Sequence, residues 1–241
     1  MRKILKKASK IFWLMLLLQL CLSFPLLAKQ TFDFSFEKGH AGWVGDFADY
    51  DVGQEAFFEL GWGWTSLPTQ LDLNGTPLQK GMLLTGNNHS DDLFMFLKHR
   101  IEGLKPNTYY HLTFRVVIEN NVPPDQFGVG GSPGESVFFK VGASRREPKK
   151  VAEGSIYRLN VDKGNQSQSG KYAIVVGDLA NPLVDPLDPT YQPKQFVNEI
   201  PLKVRTDHRG RLWLFVGTDS GFEALTTYYV AHISVVADSK H

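Results

Sequence analysis

Apolar and polar residues alternate with a period of two in several segments of this 241-residue chain. The clearest segment is 110–118, in which Tyr110, Leu112 and Phe114 begin one apolar face. Successive side chains of a β-strand point to opposite faces, so this pattern predicts a strand with one buried side. The pattern returns, with many Val, Ile, Tyr and Trp residues, in three further segments: 136–142, 211–216 and 226–236. Helical spacing is nearly absent.

Turn-forming residues separate these segments. Gly, Asn, Asp and Pro cluster at four places: 105–108, 162–165, 207–210 and 219–221. Strands at such intervals predict an all-β fold, a two-sheet antiparallel β-sandwich of the jelly-roll type. The proline-rich stretch 177–201 is predicted to be a long connection without a central strand, because proline lacks the N–H that a sheet interior needs. No linker composition divides residues 29–241, which are therefore expected to form one domain.

The first 28 residues have the layout of a secretory signal peptide. A basic start precedes an apolar run over residues 11–22, and small Ala28 offers a cleavage point. An uncleaved anchor is the alternative, since the run approaches the roughly 20 residues that span a bilayer. Pro25 favours cleavage. The expected location is secreted or periplasmic, with membrane contact only through this segment before it is removed.

Removal of this leader changes the picture of charge and cysteine content. The only cysteine, Cys21, lies inside it, so the mature chain has no disulfide and depends on its core. The leader also holds five of the 26 basic residues and no acidic one, which leaves 21 basic against 25 acidic residues, a net charge of −4. A mildly acidic domain without a large basic patch is not expected to bind nucleic acid.

Three segments resemble bacterial carbohydrate-binding-module-like jelly rolls, also called galactose-binding-like domains. FDFSFEKGHAGW (32–43) is similar to their first strand, GLKPNTYYHLTFRV (103–116) to the turn into a central strand, and LWLFVGTDSGFEALTTYYVAHISV (212–235) to the closing strands. The resemblance implies a jelly-roll fold and carbohydrate as the partner.

The resemblance also implies a cofactor, because many relatives hold a structural calcium between the first and last strands. Glu37 matches the early acidic position of that site. The closing strand departs from the pattern, since Ala231 and His232 stand where an Asp is usual.

A dense polar run, residues 87–92, directly precedes the apolar segment 93–97. Its Asn and Asp oxygens are typical calcium ligands and can also accept hydrogen bonds from sugar hydroxyls. Asp91 and Asp92 therefore join Glu37 as candidate metal ligands. Asn and Asp also favour turns, because their side chains bond nearby backbone groups. Both interpretations, a turn that caps a buried strand and a ligand site, stay open.

Two other polar segments are candidates for the same site. In GTDSGFE (217–223), Asp219, Ser220 and Glu223 are expected to meet the run 87–92 at one edge of the sandwich, although turn chemistry is the favoured interpretation. The Gly-x-Ser-x-Gly elbow of serine hydrolases is absent there. The loop 160–170 carries Lys163 among other polar residues, without the full calcium-loop pattern.

Trp62 and Trp64 lie two residues apart, so an extended segment presents both on one face. As an exposed pair they would stack on sugar rings. The alternative is that both belong to the core, where tryptophan is usually largely buried.

These features predict an exported protein that binds a glycan, with calcium as a possible bound cation. The residues expected to contact the ligand are Trp62, Trp64, Asn88, His89, Asp91, Asp92, Asp219, Ser220 and Glu223. One alternative is a glycosidase-like hydrolase with Asp91, Asp92, Asp219 and Glu223 as its carboxylates, two of which must lie within about 10 Å of each other. The other is a non-catalytic structural protein of the envelope.

Overall fold

A computed structural model describes residues 29–69, 74–75 and 78–239; the predicted signal peptide lies outside the described residues. The described part contains fifteen β-strands and no helix, so it holds no helix capable of crossing a membrane. The strands are β1 (Lys29–Ser35), β2 (Val44–Ala48), β3 (Tyr50–Asp51), β4 (Gly61–Ser66), β5 (Lys80–Asn87), β6 (Leu93–Ile101), β7 (Tyr109–Asn120), β8 (Val137–Ser144), β9 (Lys150–Glu153), β10 (Ile156–Leu159), β11 (Ala173–Asp178), β12 (Gln192–Val197), β13 (Leu202–Arg205), β14 (Leu212–Ser220) and β15 (Leu225–Asp238). The prediction of an all-β chain is confirmed.

Two antiparallel sheets form the sandwich. The first sheet has β15 near its centre: β7 pairs with one edge of β15, while β1 and β5 pair with the other. Strands β12 and β13 extend this sheet beyond β7, and β4 extends it beyond β5. The second sheet has the order β11-β8-β14-β6-β2. The predicted two-sheet antiparallel sandwich is therefore confirmed.

The core fills the space between the sheets with the inward side chains of both. The alternation in β7 places Tyr110, Leu112 and Phe114 there, all fully buried. Phe139 of the second sheet stacks on Phe196 of the first with ring centroids 4.2 Å apart, so aromatic contacts join the two layers directly.

The second sheet is covered on its outer face as well. We call residues 145–172 the cover; it contains β9 and β10, which form a small third sheet with β3. Val161 of the cover packs with Phe94, Phe96 and Phe215 in a separate apolar cluster on that outer face. This third layer explains why residues 93–97 are buried on both faces, as their unbroken apolar run predicts.

The segment 217–223 departs from its predicted turn. Gly217 to Ser220 continue β14, with Asp219 opposite Phe94 on one side and Phe138 on the other. The chain then crosses from the second sheet to the first, so β14 and β15 form no hairpin. An aspartate tolerates this buried strand position because lysines neutralise it, as described below. In the proline-rich stretch, β12 pairs with β7 and contains Pro193, in agreement with the exclusion of a central strand.

Candidate functional site

A cluster of six charged side chains lies between the second sheet and the cover. We call it the charge cluster; its members are Asp49, Asp92, Lys140, Arg158, Lys163 and Asp219. Strands β8 and β14 supply Lys140 and Asp219, and the cover supplies Arg158 and Lys163. The three carboxylates and three cations balance in formal charge, which is the condition for burying ions at tolerable cost.

Asp219 is the centre of the charge cluster and is fully buried. Its Oδ2 accepts hydrogen bonds from Lys140 Nζ at 2.7 Å, Lys163 Nζ at 2.7 Å and the backbone N–H of Gln166 at 2.9 Å. Its Oδ1 is also buried and has no hydrogen-bond partner. The two oxygens of this carboxylate are therefore in very different surroundings.

The remaining ion pairs connect the cover to the loops before β3 and β6. Lys163 Nζ lies 2.9 Å from Asp49 Oδ2. Arg158 Nη1 donates to Asp49 Oδ1 at 2.9 Å and to Asp92 Oδ2 at 2.8 Å. The cover is thus fixed to the sandwich by charge as well as by its apolar contacts.

Burial and neighbouring charges shift three pKa values in this cluster. Burial, helped by the nearby Asp49 and Asp219 carboxylates, raises the pKa of Asp92 from 3.8 to about 6. Burial lowers the pKa of Lys140. Burial also acts to lower the pKa of Lys163, but the three surrounding carboxylates outweigh it, so that pKa is raised. Of the two lysines, Lys163 is therefore the one held firmly as a cation.

The charge cluster does not suit a metal ion, although one carboxylate oxygen from each of Asp49, Asp92 and Asp219 lies within 4.8 Å of the others. The ammonium group of Lys163 contacts two of these three carboxylates. It occupies the position and supplies the charge that a bound cation would, and it would repel such an ion.

The predicted metal set of Glu37, Asp91 and Asp92 is not assembled. Glu37 Oε1 accepts the backbone N–H groups of Gln79 and Lys80, at the start of β5. Asp91 and Asp92 follow the other end of β5, and its eight residues span roughly 25 Å. The sequence alone does not reveal that the full length of β5 separates the Glu37 carboxylate from Asp91 and Asp92.

We predict that chelation with EDTA leaves the melting temperature of the purified protein unchanged, because Lys163 fills the carboxylate site. Elemental analysis of the purified protein, paired with melting curves with and without EDTA, checks this. A stoichiometric metal whose removal lowers the melting temperature would contradict it.

The polar run 87–92 forms a turn that contacts two other segments, the end of β14 and the loop 160–170. Asn88 is buried, and its Nδ2 donates to the carbonyl oxygens of Ser220 and Phe222. His89 stacks on Phe57 with ring centroids 4.1 Å apart. The backbone carbonyl of Asp91, a residue with φ of 57°, accepts from Gln166 Nε2.

The structure thus brings the run 87–92 and the end of β14 together at one rim. Asp92 is the member of the run whose side chain enters the charge cluster, next to Asp219. The loop 160–170 joins them through Lys163 and Gln166.

Of the four carboxylates of the hydrolase alternative, Asp92 and Asp219 lie together in the charge cluster. Asp219 is enclosed and bound by three donors, so it does not face substrate. Asp92 lines an open cavity of about 260 Å³ together with Arg158 and Glu153. Glu223 lies against the glycine-rich segment 128–136, where its backbone N–H donates to the carbonyl oxygen of Val129. Ser220 is buried and its hydroxyl donates to the carbonyl of Phe222.

Trp62 and Trp64 lie on the same face of the edge strand β4, and they are 42% and 45% exposed. Both point to the inner side of the first sheet, since they pair with the buried residues Leu84 and Met82. The side chains therefore stand at the open edge of the sandwich, between the core and solvent, so both of the expected positions are partly correct.

Both indole rings are held in place. The Trp62 ring lies so close to Gly45 of β2 that a Cβ there would be 2.2 Å from it. Trp64 Nε1 donates to the carbonyl of Phe36 at 2.7 Å, and Lys80 Nζ lies 5.1 Å from the Trp64 ring centroid.

Sequence reasoning missed Asp49, Lys140 and Arg158. A usable signal existed for Lys140, because it is the single charge in the apolar strand segment SVFFKVG, 136–142. A lysine in such a strand needs a buried partner when both faces are covered.

Comparison with known proteins gives similarity to solved structures alone: no family model and no curated protein matches this chain. The CBM61 module TmCBM61, solved with β-1,4-galactotriose, aligns over 83% of this chain and 92% of its own at 10% identity and a TM-score of 0.38. The xylan-binding CBM22-1 domain of Xyn10C from Paenibacillus barcinonensis aligns over 87% and 95% at 11% identity, TM-score 0.38. The K1 adhesin domain of Lys-gingipain from Porphyromonas gingivalis aligns over 88% and 99% at 12% identity, TM-score 0.38. Carbohydrate-binding modules are prominent among these structural neighbours.

Proposed function

We propose that this chain is an exported, non-catalytic β-sandwich that binds carbohydrate through a platform formed by Trp62 and Trp64. The observation that carries the proposal is the placement of these two side chains. They are half-exposed, stand on one face of an edge strand, and are each fixed by a contact with a different part of the sandwich. Rings fixed before binding lose little conformational entropy when a ligand stacks on them.

The spacing of the platform supports stacking on an extended chain. Residues two apart in a strand are separated by about 7 Å. Two rings at this distance offer apolar faces to neighbouring units of one polymer, and stacking needs few hydrogen bonds.

Polar groups beside the platform supply the hydrogen bonds that sugar hydroxyls require. Lys80 Nζ lies close to the Trp64 ring and donates to Ser66 Oγ at 2.9 Å. Asn88, expected to accept hydroxyl hydrogens, is instead buried with its amide group occupied. In this proposal Ser66 Oγ accepts hydroxyl hydrogens in its place, and Lys80 Nζ donates hydrogen bonds to sugar oxygens.

We expect mature protein to be retained by at least one insoluble polysaccharide, and we expect Trp62→Ala and Trp64→Ala each to weaken the affinity about tenfold, the loss of one aromatic contact. Pull-downs and a glycan array measure this. Tyr109→Ala is the control, because Tyr109 is also an exposed aromatic residue, with Lys203 Nζ 5.2 Å from its ring centroid.

Either of two results would defeat the glycan proposal. One is that no polysaccharide or arrayed glycan retains the protein above background, which would leave the structural role in the envelope. The other is that the tryptophan variants bind as well as the Tyr109 variant, which would move the binding surface away from β4.

A further inference from the structure

We propose that Lys140 and Asp219 condense to form an intramolecular isopeptide bond between β8 and β14. This inference is independent of carbohydrate binding. It rests on the arrangement of the charge cluster, in which an amine and a carboxylate are held together in the absence of solvent.

The two side chains are placed for direct reaction. Lys140 lies opposite Gly217 in the pairing of β8 with β14, and Asp219 is two residues further along β14 on the same face. Lys140 Nζ is 2.7 Å from Asp219 Oδ2, and both side chains are fully buried. Such proximity replaces a bimolecular encounter by an intramolecular one, which raises effective concentrations by many orders of magnitude.

The surroundings assign different roles to the neighbouring groups. An amine attacks only in its neutral form, and burial lowers the pKa of Lys140. Lys163 is held as a cation by the carboxylates around it. The raised pKa of Asp92 makes this carboxyl able to take up and return a proton near neutral pH.

The reaction balances without any further reagent. The Lys140 ammonium passes one proton to Asp92, and the neutral Nζ attacks Cγ of Asp219. The negative charge that develops on Oδ2 is stabilised by Lys163 Nζ and the N–H of Gln166, which already donate to that oxygen. Asp219 Oδ1 takes the proton that Asp92 carries and a second proton from the attacking nitrogen of Lys140.

The Cγ–Oδ1 bond then breaks, one water leaves, and the Cγ–Nζ amide bond remains. Asp92 is again a carboxylate. This scheme accounts for two buried atoms without hydrogen-bond partners, Asp92 Oδ1 and Asp219 Oδ1, as the two ends of the proton transfer. The amide oxygen, formerly Oδ2, keeps its donors.

The bond would join residues 79 apart in the chain. It would also give a covalent constraint to a mature chain whose sequence holds no cysteine after residue 28. Because the bond is an amide, reductants would leave it intact.

Intact-mass spectrometry of the purified protein tests the proposal without any variant. We expect a mass lower by one water than that of the chain with its observed N-terminus. Tryptic digestion is expected to yield one branched peptide that contains both Lys140 and Asp219, with no cleavage after Lys140. An unmodified mass, together with a free Lys140 peptide, overturns the proposal.

Two controls separate this bond from other losses of water. Hydroxylamine adds to a succinimide at an aspartate and gives a hydroxamate, but it leaves an isopeptide intact, so a gain in mass by one hydroxylamine under that treatment also overturns the proposal. Lys140→Arg keeps the charge and is expected to show the full mass, while Lys149→Arg, at an exposed lysine of the cover, is expected to retain the loss. Should Lys140→Arg fail to fold, the peptide map of the unmodified sequence still decides.

Discussion

Replacement of Lys163 by methionine is expected to lower the free energy of unfolding by about 3–5 kcal/mol, the usual cost of removing one partner from a buried ion pair. Methionine is one atom shorter than lysine and keeps an unbranched apolar side chain near the Phe94 ring, which Lys163 Nζ approaches to 5.1 Å. The variant removes the positive charge that contacts both Asp49 Oδ2 and Asp219 Oδ2 in the buried cluster. Urea unfolding followed by circular dichroism at pH 7 measures the change.

The matched control is Lys149→Met, since Lys149 is an exposed lysine of the same cover. Exposed substitutions of this kind change stability by no more than about 0.5 kcal/mol. Adding Asp49→Asn to Lys163→Met is expected to recover part of the loss, because it removes one of the uncompensated carboxylates. A Lys163→Met protein as stable as its control would show that the charge cluster does not hold the cover in place.

The strands that pack on the core could be predicted from the sequence for a physical reason. In β7 up to Val116 and along most of β15, one face is buried in the core and the other is partly exposed, so alternation records burial directly. The same reasoning predicted that 87–92 and the end of β14 meet, since sandwich loops gather at two ends.

The cover could not be predicted in this way. Its strands β9 and β10 are four residues each, too short for a periodic signal, and polar residues separate the few apolar positions that pack on the second sheet. Because the cover is not predicted, the sequence gives no reason to expect that the outer face of β14 is buried. Asp219 was therefore assigned to a turn, although it lies within a strand between two lysines.

The charge cluster shows the limit of local sequence reasoning most clearly. Lys140 and Asp219 are 79 residues apart, and Asp92 and Arg158 are 66 apart. Such pairs arise from sheet order and register, which a single sequence does not encode in any local pattern. The tryptophans were predicted better, because their shared face follows from a spacing of two residues in one strand.

The second large effect concerns pH and Asp92. Because its pKa is raised from 3.8 to about 6, the native state binds this proton more tightly than the unfolded state does. The stabilisation from this residue is therefore fully present below about pH 4 and is lost as the pH rises through about 6. A pKa shift of this size corresponds to about 3 kcal/mol. Solvent screening of a side chain that is 21% exposed reduces this to about 2 kcal/mol.

Asp92→Asn removes this titration and keeps an oxygen that accepts from Arg158. We expect the stability of the variant relative to the unmodified sequence to increase by about 2 kcal/mol between pH 4 and pH 8. Urea unfolding at intervals of pH measures that difference, with the exposed substitution Asp51→Asn as the control variant. If the proposed Lys140–Asp219 bond does not form in the Asp92→Asn variant, the stability of the variant falls by the same amount at every pH. The slope of the stability difference against pH is then unchanged. An Asp92→Asn profile that is flat, or that slopes the other way, would mean that the ion pair with Arg158 outweighs burial at this carboxylate.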